Sequence, residues 1–237
     1  MIIDSAELDE TQAYKLLIGT IIPRAIGWVS TQSPSGVANL APISFFTAVG
    51  RKPPMVSISL QPRSDGTLKD TFVNIRDTGE FATNLVTLPQ AAQAHRSAFE
   101  FPPDVDEFEI LGLGKEACET IAAPRIAGAP VAFECTLERI IPVQDTDYVV
   151  WGIVNRFHIR DDLYLDRGRV DTAAIPAVGR LAAEYTLVNT VFTLPLDDDT
   201  ASVHSRRRMR RLDDHDDDFS PVDQNSWSSS GSVKDIE

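Results

Sequence analysis

A short polar segment ahead of a predicted helix carries residue types that can bind a phosphate group. It contains two threonines, a lysine and an aspartate: Thr67, Lys69, Asp70 and Thr71. Asp70 is a typical N-cap and Gly79 a typical helix end, so the sequence predicts a helix at about 70–77. The first amides of a helix are free donors at the positive end of its dipole, and a lysine with two hydroxyls adds to them. An ordinary capped surface helix has the same composition, so the pattern alone leaves both interpretations open.

Short runs rich in β-branched and aromatic residues surround this helix, and most are separated by Gly, Pro, Asn or Asp. The short connections favour antiparallel pairing in a closed barrel over a parallel α/β sheet. A surface helix is predicted at about 89–98. The predicted strands are 25–31, 37–41, 44–49, 55–60, 80–86, 131–143 and 148–159.

The segments between these elements are less regular. Residues 13–22 are compatible with a short helix or a strand, and residues 99–114 are predicted to form a long ordered loop. Residues 145–147 are a plausible hairpin turn. Alternation in the strand before this turn predicts that Cys135 points inward and is a packed thiol. The other residues of that inward phase are Val131, Phe133 and Leu137.

Six segments, in order and at regular spacing, resemble the flavin reductase-like family, the FMN-binding split-barrel proteins that include flavoredoxin. They lie within residues 15–195. The resemblance implies a mainly β fold, an antiparallel split β-barrel with a few short helices, and a homodimer with FMN near the subunit interface. The segments are PRAIGWVST, NLAPISFFTAV, PPMVSISL, KDTFVNIRDTGEFATNLV, PPDVDEFE and GRLAAEY.

The resemblance also implies which residues contact FMN. The phosphate would be bound by Lys69, the two threonine hydroxyls and the amides around Asp70, and Arg24 would lie near the flavin. Without the resemblance, the preferred interpretation is that Ser30, Thr31, Asn39 and Ser44 are outward strand and turn residues, and Arg24 could equally be an exposed charge at the strand entry. The chain departs from the family pattern at Ala25 and at Ala182–Ala183, beside Arg180. The wall for the flavin ring would be Ser30, Thr31, Asn39, Leu40, Ala41, Pro42, Ser44 and Phe45.

The function that the resemblance implies is an FMN-binding oxidoreductase that takes hydride from NADH or NADPH and passes electrons to free flavin or another acceptor. Hydride transfer needs no side-chain acid or base, so no catalytic residue is assigned. Two alternatives remain: a flavoredoxin-like FMN electron carrier without nicotinamide oxidation, and a non-catalytic interaction protein.

Composition and isolated motifs exclude other classes. The net charge of -13 disfavours nucleic acid as a partner. Two cysteines without a CxxC pair or a histidine cluster predict neither a disulfide framework nor a metal site. His95 and His158 stand alone in the sequence, and residues 112–117 lack the third glycine of a dinucleotide fingerprint. Without a leader or an apolar span, a cytoplasmic protein that does not contact membranes is expected.

Composition changes after Pro195. We expect residues 1–195 to form the flavin reductase-like domain and residues 196–237 to be a disordered polyampholyte tail. The basic run Arg206–Arg211 in this tail is bracketed by aspartates, which favours a solvated segment over a targeting signal.

Overall fold

A computed structural model of the chain describes residues 1–144, 147–165 and 168–190. The predicted disordered tail, with its basic run, lies outside the described residues. Residues 145 and 146 of the predicted hairpin turn lie outside them as well.

The described residues form a mainly β fold with four short α-helices, as the sequence predicts. The helices are α1 (Glu10–Thr20), α2 (Asp70–Thr78), α3 (Ala91–Arg96) and α4 (Glu107–Leu111). The long strands are β1 (Gly27–Gln32), β2 (Ala38–Ile43), β3 (Phe46–Arg51), β4 (Pro54–Leu60), β5 (Glu80–Leu85), β8 (Val131–Val143) and β9 (Asp147–Ile159). The short strands are β6 (Lys115–Glu116), β7 (Arg125–Ile126), β10 (Tyr164–Leu165), β11 (Arg169–Val170), β12 (Ala177–Arg180) and β13 (Tyr185–Val188).

The seven long strands form one antiparallel sheet in the order β2-β1-β5-β8-β9-β4-β3. Its two outermost strands, β2 and β3, are consecutive in the chain and are separated only by Ser44 and Phe45. A two-residue connection cannot cross a flat sheet of this width, so the sheet must curl until its edges meet. The amide of Ser59 on β4 donates to the carbonyl of Phe45 at this corner, over 2.9 Å. The predicted antiparallel barrel is therefore confirmed.

Two apolar clusters lie on opposite faces of the curled sheet. The inner cluster joins side chains from β1, β4, β5, β8 and β9 to Phe72 and Ile75 of α2. The outer cluster is formed by alternate residues of β1 and β2, including Trp28 and Leu40, packed against α3 and α4. Because neighbouring residues of a strand face opposite sides, β1 and β2 are covered on both faces. Helix α2 is thus fixed against the hairpin of β1 and β2, which is the relationship that the candidate site requires.

Two irregular segments turn out to be partly helical. Residues 13–22, which were compatible with a helix or a strand, belong mostly to α1. The predicted long loop 99–114 contains α4, which begins where the carboxylate of Asp106 accepts the amide of Phe108 over 3.0 Å. Helix α4 ends at Gly112, which has a φ of 65°. Gly112 is therefore the C-cap of α4, which agrees with the prediction that residues 112–117 are not a dinucleotide fingerprint.

The alternation predicted for β8 is confirmed at its centre, where Cys135 belongs to the inner cluster and Phe133 and Leu137 pack against it. Glu134, between Phe133 and Cys135, is also 0% exposed. It pairs with Ala82, outside the inner cluster, and its carboxylate is covered by the segment at 119–120. Val131 and Phe133, predicted to point inward, are only half-buried. Cys135 is nevertheless the packed thiol that was predicted, and burial raises its pKa above the usual range.

Within the described part of the chain, no helix is long and apolar enough to cross a membrane. The same residues contain no group of three or more His, Cys, Asp or Glu side chains arranged to hold a metal ion.

Candidate functional site

The segment before α2 is a tight loop in which one predicted phosphate donor, the Thr67 hydroxyl, already has a hydrogen-bond partner. The hydroxyl and the amide of Thr67 both donate to the carboxylate of Asp65, over 2.6 and 2.8 Å. Gly66 between them has a φ of 82°, a conformation that other residues rarely adopt. The Thr67 hydroxyl therefore stabilises the loop and is not available to a ligand in this conformation.

Asp70 is not the N-cap of α2, contrary to the sequence prediction. Lys69 occupies the cap position and makes no side-chain cap hydrogen bond, whereas Asp70 is the first helical residue. The carboxylate of Asp70 instead forms an ion pair with Arg63. An Asp in the first turn is favourable beside the helix dipole, and its pairing with Arg63 offsets the negative charge that would otherwise repel an anion here.

Lys69 is the cation that remains at this helix start. Its side chain is half-buried and has no ion-pair partner among residues 1–144, 147–165 and 168–190. The amides of Phe72 and Val73 donate to the Lys69 carbonyl, over 2.9 and 3.0 Å. The amides of Asp70 and Thr71 have no partner within the helix. One free ammonium group and two free amides thus lie together at the start of α2.

A buried polar network connects the start of α2 to the β1–β2 hairpin. The side-chain amide of Asn39 on β2 lies 3.1 Å from the hydroxyl of Thr31 on β1 and 3.0 Å from that of Thr71 on α2. Asn74, one turn further along α2, donates to the Thr31 hydroxyl over 3.0 Å. Thr31 and Thr71 are 0% and 1% exposed. Three of the predicted site residues are therefore brought together, as parts of a buried connection between helix and hairpin.

Glu107 completes this network and was not predicted. Its carboxylate accepts the Leu40 amide over 3.2 Å. In the amide orientation of Asn39 that satisfies every neighbour, the nitrogen donates to Glu107 over 3.2 Å and the oxygen accepts the Thr31 and Thr71 hydroxyls. Burial is the main cause that raises the pKa of Glu107 to about 7, and the nearby carboxylates of Asp70 and Asp106 act in the same direction. Glu107 therefore titrates near neutral pH directly behind the hairpin.

The predicted ring wall divides into a buried part and an accessible part. Ser30 is 0% exposed and donates to the Pro124 carbonyl over 2.6 Å, and Leu40 belongs to the outer core cluster. Neither side chain is open to a ligand. Thr31 and Asn39 belong to the buried network. The other four members are half-buried and lie along β2 and the corner after it: Ala41, Pro42, Ser44 and Phe45.

Arg24 lies at the end of this accessible wall. Its guanidinium carbon is 6.0 Å from the centroid of the Phe45 ring. Its two terminal nitrogens donate to the carbonyls of Ile18, in the last turn of α1, and of Leu181, over 2.6 and 2.7 Å. Burial lowers the pKa of this guanidinium from its usual value. Arg24 is thus close to the predicted wall, but its terminal nitrogens connect two structural elements.

A second buried carboxylate lies on β8, at the bulge. Glu134 accepts the amides of Glu119 and Thr120, over 2.8 and 2.7 Å, and the hydroxyl of Thr120 over 2.5 Å. His158 on β9 lies 2.5 Å from the same carboxylate. Burial by itself raises the pKa of Glu134, but these hydrogen bonds outweigh it and lower the pKa to about 2. Glu134 therefore fixes the loop at 119–120, and His158 is not isolated.

His95 also has a partner, since its Nδ1 lies 3.0 Å from the Tyr185 hydroxyl. Neither this histidine nor His158 could be paired from the sequence, because each partner lies on a distant segment.

The comparisons with known proteins agree with this architecture. The family model for the flavin reductase like domain matches residues 19–174. The chain belongs to the flavin reductase-like family. An uncharacterized protein of Aquifex aeolicus is 41% identical over 179 residues, which are 76% of this chain and 91% of that protein.

Two solved structures of the same architecture are also similar in sequence. Nitrilotriacetate monooxygenase component B from Bacillus cereus is 34% identical, with a TM-score of 0.78 over 82% of this chain and 98% of that one. The 2-nitrobenzoate 2-nitroreductase NbaA of Pseudomonas fluorescens is 28% identical, with a TM-score of 0.75 over 84% of this chain and 97% of that one. The family resemblance predicted from six sequence segments is thus confirmed.

Proposed function

We propose that this flavin reductase-like protein is an FMN-dependent oxidoreductase that takes hydride from NADH or NADPH and passes the electrons to free flavin or another small acceptor. The observation that carries the proposal is the start of α2, where the ammonium group of Lys69 has no described ion-pair partner and adjoins two free helix amides. These donors suit a phosphate dianion, because each charge-assisted hydrogen bond contributes about 1.5–3 kcal/mol when water is excluded.

The residues of the chain would hold FMN at both of its ends. Lys69 and the amides of Asp70 and Thr71 would bind the phosphate, while Thr67 and the Asp70 carboxylate would support the loop rather than the ligand. The half-buried part of the wall offers small side chains and one aromatic ring against which a flat ring system would lie: Ala41, Pro42, Ser44 and Phe45. When bound, FMN would supply the ring that accepts the hydride, and the protein would bind and orient it.

The buried side chains of Thr31, Asn39 and Thr71 would position the two parts of the site without contacting FMN. Their hydrogen bonds fix the start of α2 relative to β1 and β2, which sets the separation between the phosphate donors and the ring wall. Ser30 and Leu40 would shape the hairpin through the outer core, without touching the ligand.

We further propose that the protein is a homodimer. None of the α1 residues is buried within its own chain. Leu17 on α1, together with Ile21 and Ile22 just after it, is 51–57% exposed. A neighbouring group of exposed apolar side chains is typical of a surface that a partner subunit covers. Sedimentation of the native chain and of a Leu17→Glu, Ile21→Glu variant tests this proposal: a dimer that becomes a monomer supports it, and a native monomer contradicts it.

The FMN proposal is tested with the purified chain by titration with FMN, followed by the quenching of flavin fluorescence. Lys69→Ala should weaken FMN binding by at least about tenfold, because about 1.4 kcal/mol or more of phosphate interaction is lost. Lys52→Ala, which removes an exposed lysine from the β3–β4 connection, is the matched control and should bind as the native chain does. Equal affinity of both variants for FMN would reject the phosphate site.

Adding NADH or NADPH without oxygen to the FMN-loaded protein distinguishes the reductase from an electron carrier. Loss of the visible absorbance of the oxidised flavin indicates hydride transfer to the bound cofactor. Absence of bleaching with both nucleotides would instead favour the carrier. The name of one solved relative, 2-nitrobenzoate 2-nitroreductase, favours the reductase.

A further inference from the structure

Two arginines lie directly opposite each other where the strand entry before β1 meets β12. Arg24 and Arg180 form an isolated antiparallel bridge in which each backbone amide donates to the carbonyl of the other residue, over 2.9 Å in both directions. Residues paired in this way place their side chains on the same face, with Cα atoms about 5.5 Å apart. Like charges in directly opposite positions are unfavourable, so this pairing needs a compensating interaction.

No carboxylate of residues 1–144, 147–165 or 168–190 supplies that compensation within ion-pair distance. Arg24 is 7% exposed, and its Nε is buried without a hydrogen-bond partner. One terminal nitrogen of Arg180 donates to the Ala183 carbonyl, over 3.0 Å. Glu184, the nearest acidic residue in the sequence, accepts the Ala183 amide over 3.3 Å instead of pairing with either arginine. In a chain with a net charge of -13, an uncompensated pair of cations is unexpected.

Aromatic rings flank both guanidinium groups. The guanidinium carbon of Arg180 lies 4.6 Å from the centroid of the Tyr185 ring, and Tyr185 is in turn held by His95. The guanidinium of Arg24 lies 6.0 Å from the Phe45 ring. Phe45 belongs to the accessible wall on which the flavin ring would rest. An anion bound at the arginine pair would therefore adjoin that wall, with aromatic surface available to a planar group.

We propose that Arg24 and Arg180 form a binding site for the oxyanion of a small planar molecule that exchanges electrons with the flavin. This inference rests on the proposed function. Arg180, which is half-buried, would bind the oxyanion directly through its remaining nitrogens, because a guanidinium matches the geometry of carboxylate and phosphate. Arg24, fixed by its bonds to Ile18 and Leu181, would add positive potential from behind.

Two sources supply such an oxyanion: the carboxylate of an aromatic acceptor, or the diphosphate of the nicotinamide donor. Benzoate and inorganic pyrophosphate represent these sources. Benzamide has nearly the shape of benzoate without its charge. The full-length chain is titrated with each compound, and binding is followed by the change in melting temperature, which does not require flavin.

Arg180→Gln is the test variant, and Arg156→Gln, which removes an exposed arginine of β9, is the control for the change in net charge. We expect Arg180→Gln to weaken the binding of benzoate or pyrophosphate by at least about tenfold, the effect of losing one charge-assisted hydrogen bond. Arg156→Gln should bind both anions as the native chain does, and benzamide should not distinguish the three proteins.

Loss of benzoate binding alone assigns the site to the acceptor, and loss of pyrophosphate binding alone assigns it to the donor. Equal binding of both anions to the native chain and to Arg180→Gln overturns the proposal, as does failure of the native chain to bind either anion. If Arg180→Gln does not fold, Arg180→Lys keeps the charge without the planar guanidinium and should weaken the binding by about threefold or more. If the chain binds benzoate or pyrophosphate through Arg180 but does not bind FMN, the proposed function alone is refuted. If the chain binds FMN but neither anion raises its melting temperature, this site alone is refuted.

Discussion

The carboxylate of Glu107 accepts a hydrogen bond of 3.2 Å from the backbone amide of Leu40, which lies 67 residues earlier in the chain. Leu40 is on β2, an outermost strand of the sheet, where one row of amides has no partner strand. A carboxylate from α4 thus satisfies part of that edge and also supports Asn39 behind the candidate flavin site.

Replacing Glu107 should change how the stability of the protein depends on pH. The pKa of this carboxyl is raised from its ordinary value of 4.5 to about 7 in the folded chain. The folded state therefore holds a proton that the unfolded state has lost, and the free energy of unfolding should fall as pH rises from about 4.5 to about 7. Glu107→Gln should remove roughly 2–3 kcal/mol of this pH dependence, measured by urea denaturation at several pH values.

Glu109→Gln is the matched control for this measurement, because the Glu109 side chain is 78% exposed on the same helix. It should leave the pH profile as in the native chain. A native profile in Glu107→Gln would show that the carboxyl is not the group that titrates.

Glu134→Gln should destabilise the chain at neutral pH. The glutamine side chain would keep one acceptor oxygen, but its NH2 group would replace the other. That NH2 group would face the donors of Glu119 and Thr120, which the carboxylate now accepts. Leaving a buried donor unpaired costs about 1–3 kcal/mol, and more where a charged partner is lost. Thermal unfolding should show a clear decrease in melting temperature relative to Glu138→Gln, an exposed position on the same strand. Equal melting temperatures would argue against this role for Glu134.

Position 152 must be a glycine because the Phe81 ring occupies the space that a side chain would need. A Cβ atom on Gly152 would lie 2.3 Å from the ring of Phe81, which is 0% exposed in the inner core. Gly152→Ala should therefore lower the free energy of unfolding by about 1–3 kcal/mol or more, since overpacking forces buried side chains to shift. Chemical denaturation provides the measurement.

Combining Gly152→Ala with Phe81→Leu should recover part of this loss, because the smaller side chain leaves room for the methyl group. Gly19→Ala is the contrasting control: nothing lies within 4 Å of its Cβ position, and alanine in a helix is favoured by about 0.5–1 kcal/mol. Strictly additive effects of the two core substitutions would contradict the proposed contact.

Deleting residues 197–237 tests the division of the chain into a domain and a tail. A disordered segment buries little surface, so the melting temperature and the FMN affinity should remain almost unchanged. Differential scanning calorimetry and flavin titration of the shortened chain provide the comparison. A marked decrease in either quantity would mean that the tail belongs to the folded unit.

The sequence predicted the elements whose signals are local. The long strands appear close to their predicted positions, and α2 follows the segment with its lysine and threonines. The family segments were sufficient to predict the barrel, because their order and spacing cover most of the fold.

The features that the sequence did not predict depend on distant contacts. Glu107 resembles any other acidic residue in a loop until α4 places it against β2. Glu134 resembles any other acidic residue in a strand, and the sequence does not show that the segment at 119–120 covers its carboxylate. Asp70 was interpreted as a cap because the sequence does not show Arg63 folding back onto it.

The corner at Ser44 and Phe45 joins the first and last strands of the sheet, and the same two residues end the proposed ring wall beside Arg24. Closure of the barrel and the shape of the proposed ring wall therefore depend on the same two residues. A longer connection at this point would loosen the seam and displace the aromatic surface together.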